Sequence, residues 1–73
     1  MISYMIENIN TTVHGYYKTL SEAKYSLVKM VKDGTPRSEI RIVMLRGQYF
    51  GEGFHKYRLY LADNNRFLKE DIN

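Results

Sequence analysis

The stretch TLSEAKYSLVKMVKDGTP, residues 19–36, decides the fold because it predicts one helix together with both of its ends. Thr19 and Glu22 have the spacing of a capping box, in which two side chains satisfy free backbone amides of the first turn. Apolar residues recur at intervals of three and four, as in a helix with one buried face: Leu20, Ala23, Leu27, Val28 and Val31. Gly34 can adopt the left-handed conformation that ends a helix, and Pro36 prevents its continuation. The stretch therefore predicts a helix over residues 20–32.

The segments on either side of this helix are typical of strands, being rich in β-branched and aromatic residues or alternating in polarity. The clearest are residues 2–9, 40–45 and 54–61. Residues 13–17 predict a short returning strand more weakly, whereas Phe67 and Leu68 fit either a last strand or a C-terminal helix. The turn between the last two segments contains Asn64 and Asn65, and asparagine tolerates positive φ. The order β(β)αββ(β) predicts an α+β fold, with one helix packed on one face of a small, mostly antiparallel sheet.

Length and composition limit the classes of protein that this chain can belong to. Its 73 residues fit a single domain over 1–73, and eleven Lys plus Arg against eight Asp plus Glu give a net charge of +3. The absence of cysteine excludes disulfides and thiolate metal sites and favours a reducing compartment. We find neither a secretion signal nor an apolar run near the roughly 20 residues that span a bilayer, so we expect a cytoplasmic protein.

Catalytic and metal-binding patterns are missing from the sequence. His14 and His55 are the only side chains with a pKa ordinarily near neutrality, and neither lies in a recognisable catalytic or zinc-binding motif. Gly51 and Gly53 begin a dinucleotide-binding pattern, but Lys56 occupies the position of its third glycine. We therefore expect a protein that is not an enzyme, with no cofactor and no metal.

The segment 54–61 provides the best candidate for a binding surface. Alternation places His55, Tyr57, Leu59 and Leu61 on one face, which suits a core beneath the helix. The other face then combines aromatic rings with cations: Phe54, Lys56, Arg58 and Tyr60. Arg41 or Arg46 of the neighbouring strand can extend this face, and Tyr49 and Phe50 lie in or beside a predicted turn, where packing demands are low. These eight residues are the predicted partner-binding set.

Two kinds of partner fit such a surface. Single-stranded nucleic acid is one, because rings stack on bases while Arg and Lys neutralise phosphates. A protein, or a nucleoprotein complex, is the other, because Tyr and Arg dominate the hot spots of interfaces. We favour a protein, since a net charge of +3 spread among alternating signs attracts polyanions weakly. An uncovered sheet face or edge also favours a homodimer.

In its build the chain resembles the small single-helix proteins of phages and mobile elements, among them some anti-CRISPR and host-takeover proteins. The resemblance lies in the order of elements: a short strand, TLSEA at 19–23, one helix, IRIV at 40–43 and an aromatic hairpin. It implies a stoichiometric role, in which a compact domain blocks or modulates a macromolecular partner by occupying a site on it.

Overall fold

The computed structural model describes residues 2–10, 13–46 and 54–71, with only the backbone described at Arg46, Phe54, His55 and Lys56. The strands are β1 (Ile2–Asn8), β2 (Val13–Tyr17), β3 (Ile40–Arg46), β4 (Phe54–Leu61) and β5 (Phe67–Asp71). One α-helix, α1 (Leu20–Lys32), connects β2 to β3 through a short 3₁₀ turn at Arg37–Glu39. Helix α1 and strand β4 have the bounds predicted from the sequence.

The five strands form one sheet in the order β2-β1-β3-β4-β5, and every pair of neighbours is antiparallel. This arrangement confirms the predicted α+β fold with its β(β)αββ(β) order. Both weakly indicated segments are strands, β2 and β5, and they form the two edges of the sheet. β1 ends at Asn8, one residue before its predicted end, because the chain turns at Ile9 and Asn10. β3 continues one residue further than predicted, to Arg46, where it still pairs with β1.

Helix α1 begins and ends through the residues that the sequence indicates. The Thr19 hydroxyl oxygen accepts a hydrogen bond from the Glu22 amide at 3.2 Å, and the hydroxyl donates to the Glu22 carboxylate at 2.9 Å. At the other end Gly34 has a φ of 114°. The amides of Gly34 and Thr35 donate to carbonyls of the last turn, at 3.1 and 3.0 Å. This is a Schellman ending, which satisfies carbonyls that the helix itself leaves free. No helix within the described ranges is long and apolar enough to cross a bilayer.

Two apolar clusters lie on opposite faces of the sheet. The helix α1 packs over β1 and its two neighbours, β2 and β3. The cluster beneath it consists of Ile6, Ala23, Leu27, Ile40, Ile42, Leu59 and Leu61. The second cluster, Met5, Val43 and Leu45, lies on the face away from the helix and is also buried. Burial on both faces explains why β3 is apolar throughout most of its length.

The pairing between β3 and β4 contains an irregularity that matters for the predicted binding surface. Met44 pairs with Tyr57, whereas Leu45 pairs with His55, so Lys56 is an extra residue in β4. Such a bulge interrupts the period-two alternation of a strand. Alternation therefore holds from Tyr57 to Leu61 but does not by itself assign faces to residues 54–56, whose side chains lie outside the described residues.

The turn between β4 and β5 follows the sequence prediction. Asn65 has a φ of 64°, the left-handed conformation that asparagine tolerates, and its amide donates to the Ala62 carbonyl at 2.9 Å. Arg37 of the 3₁₀ turn also donates to this carbonyl, at 2.7 Å. The guanidinium thus ties the segment before β3 to the far hairpin.

Candidate binding surface

Three of the predicted binding residues have described side chains, and all three lie on the sheet face away from the helix. One of them, Arg41, is directly opposite Glu7 in the pairing of β3 with β1. Its guanidinium contacts the Glu7 carboxylate twice, with Nη2–Oε1 at 2.8 Å and Nε–Oε1 at 2.9 Å. Only 13% of the Arg41 side chain and 8% of the Glu7 side chain are exposed. The charge of Arg41 is therefore neutralised inside the protein.

The other two, Arg58 and Tyr60, share one carboxylate. Arg58 is paired with Glu70 in the register of β4 and β5, and its Nη1 lies 3.0 Å from Oε1 of that residue. The Tyr60 hydroxyl donates to the same oxygen at 3.3 Å. The hydrogen bond to Glu70 raises the pKa of Arg58 above its ordinary value. The pairing of β4 with β5 thus neutralises a cation that the sequence alone leaves free.

The remaining members of the predicted set lie outside the described residues. These are Tyr49 and Phe50, with the side chains of Arg46, Phe54 and Lys56. Of the predicted set, the structure therefore places Arg41, Arg58 and Tyr60 on one face, each already bonded within the chain.

Helix α1 carries a surface that the sequence reasoning missed. Tyr25 is 73% exposed and stands between two shallow hollows on the outer side of the helix. The larger hollow, of about 470 Å³, is lined by Tyr17, Ser21, Glu22, Tyr25 and Ser26. The smaller is lined by Tyr25, Val28, Lys29 and Lys32. Among the described side chains, Lys29 and Lys32 take part in no ion pair. We call Tyr25, Lys29 and Lys32 the helix surface.

A signal for this surface was present in the helical periodicity. At 100° per residue, position 25 lies well outside the stripe that runs through Ala23 and Leu27. A tyrosine on the polar side of a helix buries nothing in the core. Its presence there could have been noticed from the sequence.

Other aromatic side chains belong to the margin of the core. Tyr57 packs against the cluster on the sheet face that α1 covers. Desolvation there, with a smaller contribution from Tyr4, raises the pKa of the Tyr57 hydroxyl above its ordinary value of 10.0. The Lys69 ammonium lies 4.8 Å from the centre of the Tyr57 ring, and the Lys24 ammonium 5.1 Å from that of Phe67. These cations cover the edge of the core with their stems, as long amphipathic side chains commonly do.

The structure shows no metal-binding group within the described residues, where no three His, Asp or Glu side chains lie close enough together to hold an ion. His14 is exposed in β2, and the side chain of His55 is outside the described residues. No protein-family model, curated protein or solved structure matches the chain.

Proposed function

We propose that this protein is a small, non-catalytic binding protein that blocks or modulates a protein partner, and that it binds through the helix surface. The observation that carries the proposal is the exposure of Tyr25 beside two hollows into which a partner's side chains can pack. Tyrosine is enriched in interface hot spots because it buries a large area at a low entropy cost. Lys29 and Lys32 add positive charge that speeds association with an acidic partner.

The two described arginines on the sheet face are already paired with carboxylates, and this favours a protein partner over single-stranded nucleic acid. Arg41 and Arg58 each bond a carboxylate, at 2.8 and 3.0 Å. To contact a phosphate, either guanidinium would have to leave its partner, and Glu7 or Glu70 would then repel the nucleic acid. The stacking role of Tyr60 would in turn require its bond to Glu70 to be released.

The proposal includes a stoichiometric mode of action in the cytoplasm. The resemblance to small single-helix proteins of phages and mobile elements implies that the protein blocks its partner by occupying a site on it. A chain of 73 residues without cysteine is also suited to a reducing compartment.

Affinity capture tests the proposal directly. Tagged wild-type protein and a Tyr25→Ala variant are incubated with lysate of the source cells, before and after nuclease treatment, and bound proteins and nucleic acids are quantified. We expect a protein that is retained after nuclease treatment and is depleted by Tyr25→Ala. With the purified partner, the variant should lose about 2 kcal/mol or more, roughly thirtyfold in Kd, as a hot-spot tyrosine does.

Leu68→Ala is the matched control, because Leu68 is 58% exposed but lies on β5, away from the helix surface. It should leave binding unchanged. The proposal would be overturned if nucleic acid were recovered and nuclease treatment then abolished all capture of proteins. It would also be overturned if the Leu68 and Tyr25 variants lost binding equally.

A further inference from the structure

Positive charge that no ion pair neutralises is concentrated on helix α1. The four ion pairs of the described residues contain equal numbers of cations and carboxylates. The described cations outside these pairs are Lys18, Lys24, Lys29, Lys32 and Arg66, and the described carboxylates outside them are Glu22, Asp33 and Glu39. Five cations against three carboxylates leave an excess of +2. Residues 18–33 contain four of these cations and two of these carboxylates, so the whole excess belongs to α1 and the residues that flank it.

The outer stripe of α1 separates its charges by position. Its four members recur at intervals of three and four and are all exposed: Glu22, Tyr25, Lys29 and Lys32. The Glu22 carboxylate accepts a hydrogen bond from the Thr19 hydroxyl at 2.9 Å. Lys29 and Lys32 take part in no ion pair with another described side chain. The stripe is thus acidic where the helix begins, aromatic at its middle and basic where it ends.

The two hollows beside Tyr25 have an arrangement that can receive side chains of a second helix. The smaller hollow is lined by residues at positions i, i+3, i+4 and i+7 of α1: Tyr25, Val28, Lys29 and Lys32. Four residues with this spacing form the hole that one side chain of a facing helix fills. On α1 the larger hollow is lined by Ser21, Glu22, Tyr25 and Ser26. Its centre therefore lies about five residues, or about 7.5 Å, nearer the start of the helix. Side chains at i and i+4 of a facing helix are about 6 Å apart along its axis, which is close to this separation.

We propose that the partner presents an acidic amphipathic helix to the helix surface, with two apolar side chains one turn apart in the hollows and carboxylates facing Lys29 and Lys32. This inference rests on the proposed function and specifies the chemistry of the partner. Apolar side chains suit the hollows, because the Tyr25 ring, Val28 and the stems of the lysines line the smaller one. Carboxylates suit its end, because the excess charge of the described residues lies there and attracts an acidic segment more than a neutral or basic one.

The order of charges along the stripe favours one orientation, in which the partner helix runs antiparallel to α1. Acidic side chains are most favourable in the first turn of a helix and basic ones in the last. In the antiparallel orientation the first turns of the partner helix lie beside Lys29 and Lys32, and its last turns lie beside Glu22. The helix dipoles and the side chains of the two helices then both face opposite charge.

A designed peptide tests this geometry on the full chain. It is alanine-based and about 20 residues long, so that it is helical in water. It carries two leucines at i and i+4 and, on the same side, three glutamates in its first turns. A second peptide has lysines in place of the glutamates, and a third keeps the glutamates but has two central alanines replaced by proline, which breaks the helix. We expect wild type to bind the first peptide at least about tenfold more tightly than either of the others. Fluorescence anisotropy measures each Kd at about 0.15 M salt, where distant charges are screened.

Charge reversal on α1 should invert the preference between the first two peptides. The double variant Lys29→Glu with Lys32→Glu should bind the glutamate peptide about tenfold more weakly than wild type does, and it should bind the lysine peptide more tightly than the glutamate peptide. A purely structural role of the two lysines at the end of the helix would not produce this exchange. Arg66→Glu is the matched control, because Arg66 is an exposed cation in the turn between β4 and β5. It should leave both affinities unchanged, and circular dichroism confirms that each variant is folded.

Each contrary result overturns a stated part of the inference. Equal binding of the glutamate and proline peptides would exclude a helical partner segment, and equal binding of the glutamate and lysine peptides would exclude an acidic one. A wild type that does not bind the glutamate peptide would overturn both parts. The proposed function would survive these results, since it fails separately if Tyr25→Ala leaves the capture of a protein partner unchanged. Tighter binding of single-stranded DNA than of the glutamate peptide, abolished in the double variant, would make a nucleic acid the occupant and overturn both proposals.

Discussion

The ion pair between Glu7 and Arg41 is the most buried ion pair among the described residues. Both side chains are largely buried, on the same face as Met5 and Val43. A buried charge is tolerated when it is paired and hydrogen-bonded, and it becomes expensive as soon as one partner is removed. We therefore expect the pair to contribute more to the specificity of the β1–β3 register than to the total free energy of folding.

Removal of one member of this pair should destabilise the protein strongly. We expect Glu7→Ala to lower the free energy of unfolding by about 3–5 kcal/mol, because it leaves the Arg41 guanidinium buried without a counter-charge. Equilibrium urea unfolding measures this loss. In the double variant Glu7→Leu with Arg41→Met most of the stability should return, since apolar side chains need no counter-charge. A double variant no more stable than Glu7→Ala would show that the destabilisation has another origin.

The hydroxyl of Tyr57 should make stability depend on alkaline pH. Its pKa is raised in the folded protein, chiefly by desolvation, above the value of 10.0 that applies to the unfolded chain. The corresponding stabilisation is complete below pH about 10 and is lost as the pH rises through the higher pKa of the folded protein. Urea unfolding at pH about 9 to about 12 should therefore show a smaller loss of stability for Tyr57→Phe than for wild type. Identical pH dependence in the two proteins would refute this assignment.

At the scale of the element, α1 is specified by its ends as much as by its apolar stripe. Gly34 adopts a φ of 114°, and a Cβ added there would meet no atom within 4 Å. Any cost of a side chain at this position therefore comes from backbone conformation and not from a clash. This makes Gly34 a clean test of the helix ending.

We expect Gly34→Ala to lower the free energy of unfolding by about 1 kcal/mol, because an L side chain disfavours the left-handed conformation. For a domain of this size the melting temperature should fall by about 4–8 °C, which calorimetry can measure. Gly34→Asn should cost less, since asparagine tolerates this conformation. If the two substitutions were equally costly, or if alanine had no effect, the Schellman ending would not limit the stability of α1.

At the scale of the whole molecule, the chain has a net charge of +3, and several of its cations are held in internal ion pairs. In the described ranges, carboxylates lie within 4.0 Å of Arg37, Arg41, Arg58 and Lys69. These four paired cations contribute little to the attraction of a polyanion, because a cation already held by a carboxylate releases few counterions from a phosphate backbone.

Binding to single-stranded oligonucleotides should accordingly be weak at physiological salt, with a shallow salt dependence. Arg58→Glu and Tyr60→Ala should change it little, whereas a base-stacking tyrosine would cost about 1–3 kcal/mol when removed. Fluorescence anisotropy of labelled DNA and RNA of several sequences measures these effects. Tight binding with a steep salt dependence that Arg58→Glu reduces would instead favour the sheet face as a nucleic-acid site.

How far the sequence predicts this protein depends on how local the controlling interactions are. Capping residues, left-handed positions and periodicity all act within a few residues. They predict the bounds of α1, the turn at Asn65 and the order of the elements along the chain. The extra residue in β4 could not be predicted, because a bulge depends on the pairing of two strands and leaves no local signal in 54–61.

The sequence by itself determined the fold class, the helix and the shortage of catalytic motifs, since short-range patterns carry that information. Only the tertiary structure decided which cations remain available for a partner. Glu7 and Arg41 are 34 residues apart, and Arg58 and Glu70 are 12 apart, so each pair exists only after the strands have adopted their register. The tertiary structure likewise decided that β2 is an edge of the sheet and which sheet face α1 covers. The energy that selects this arrangement comes from burial shared between distant segments.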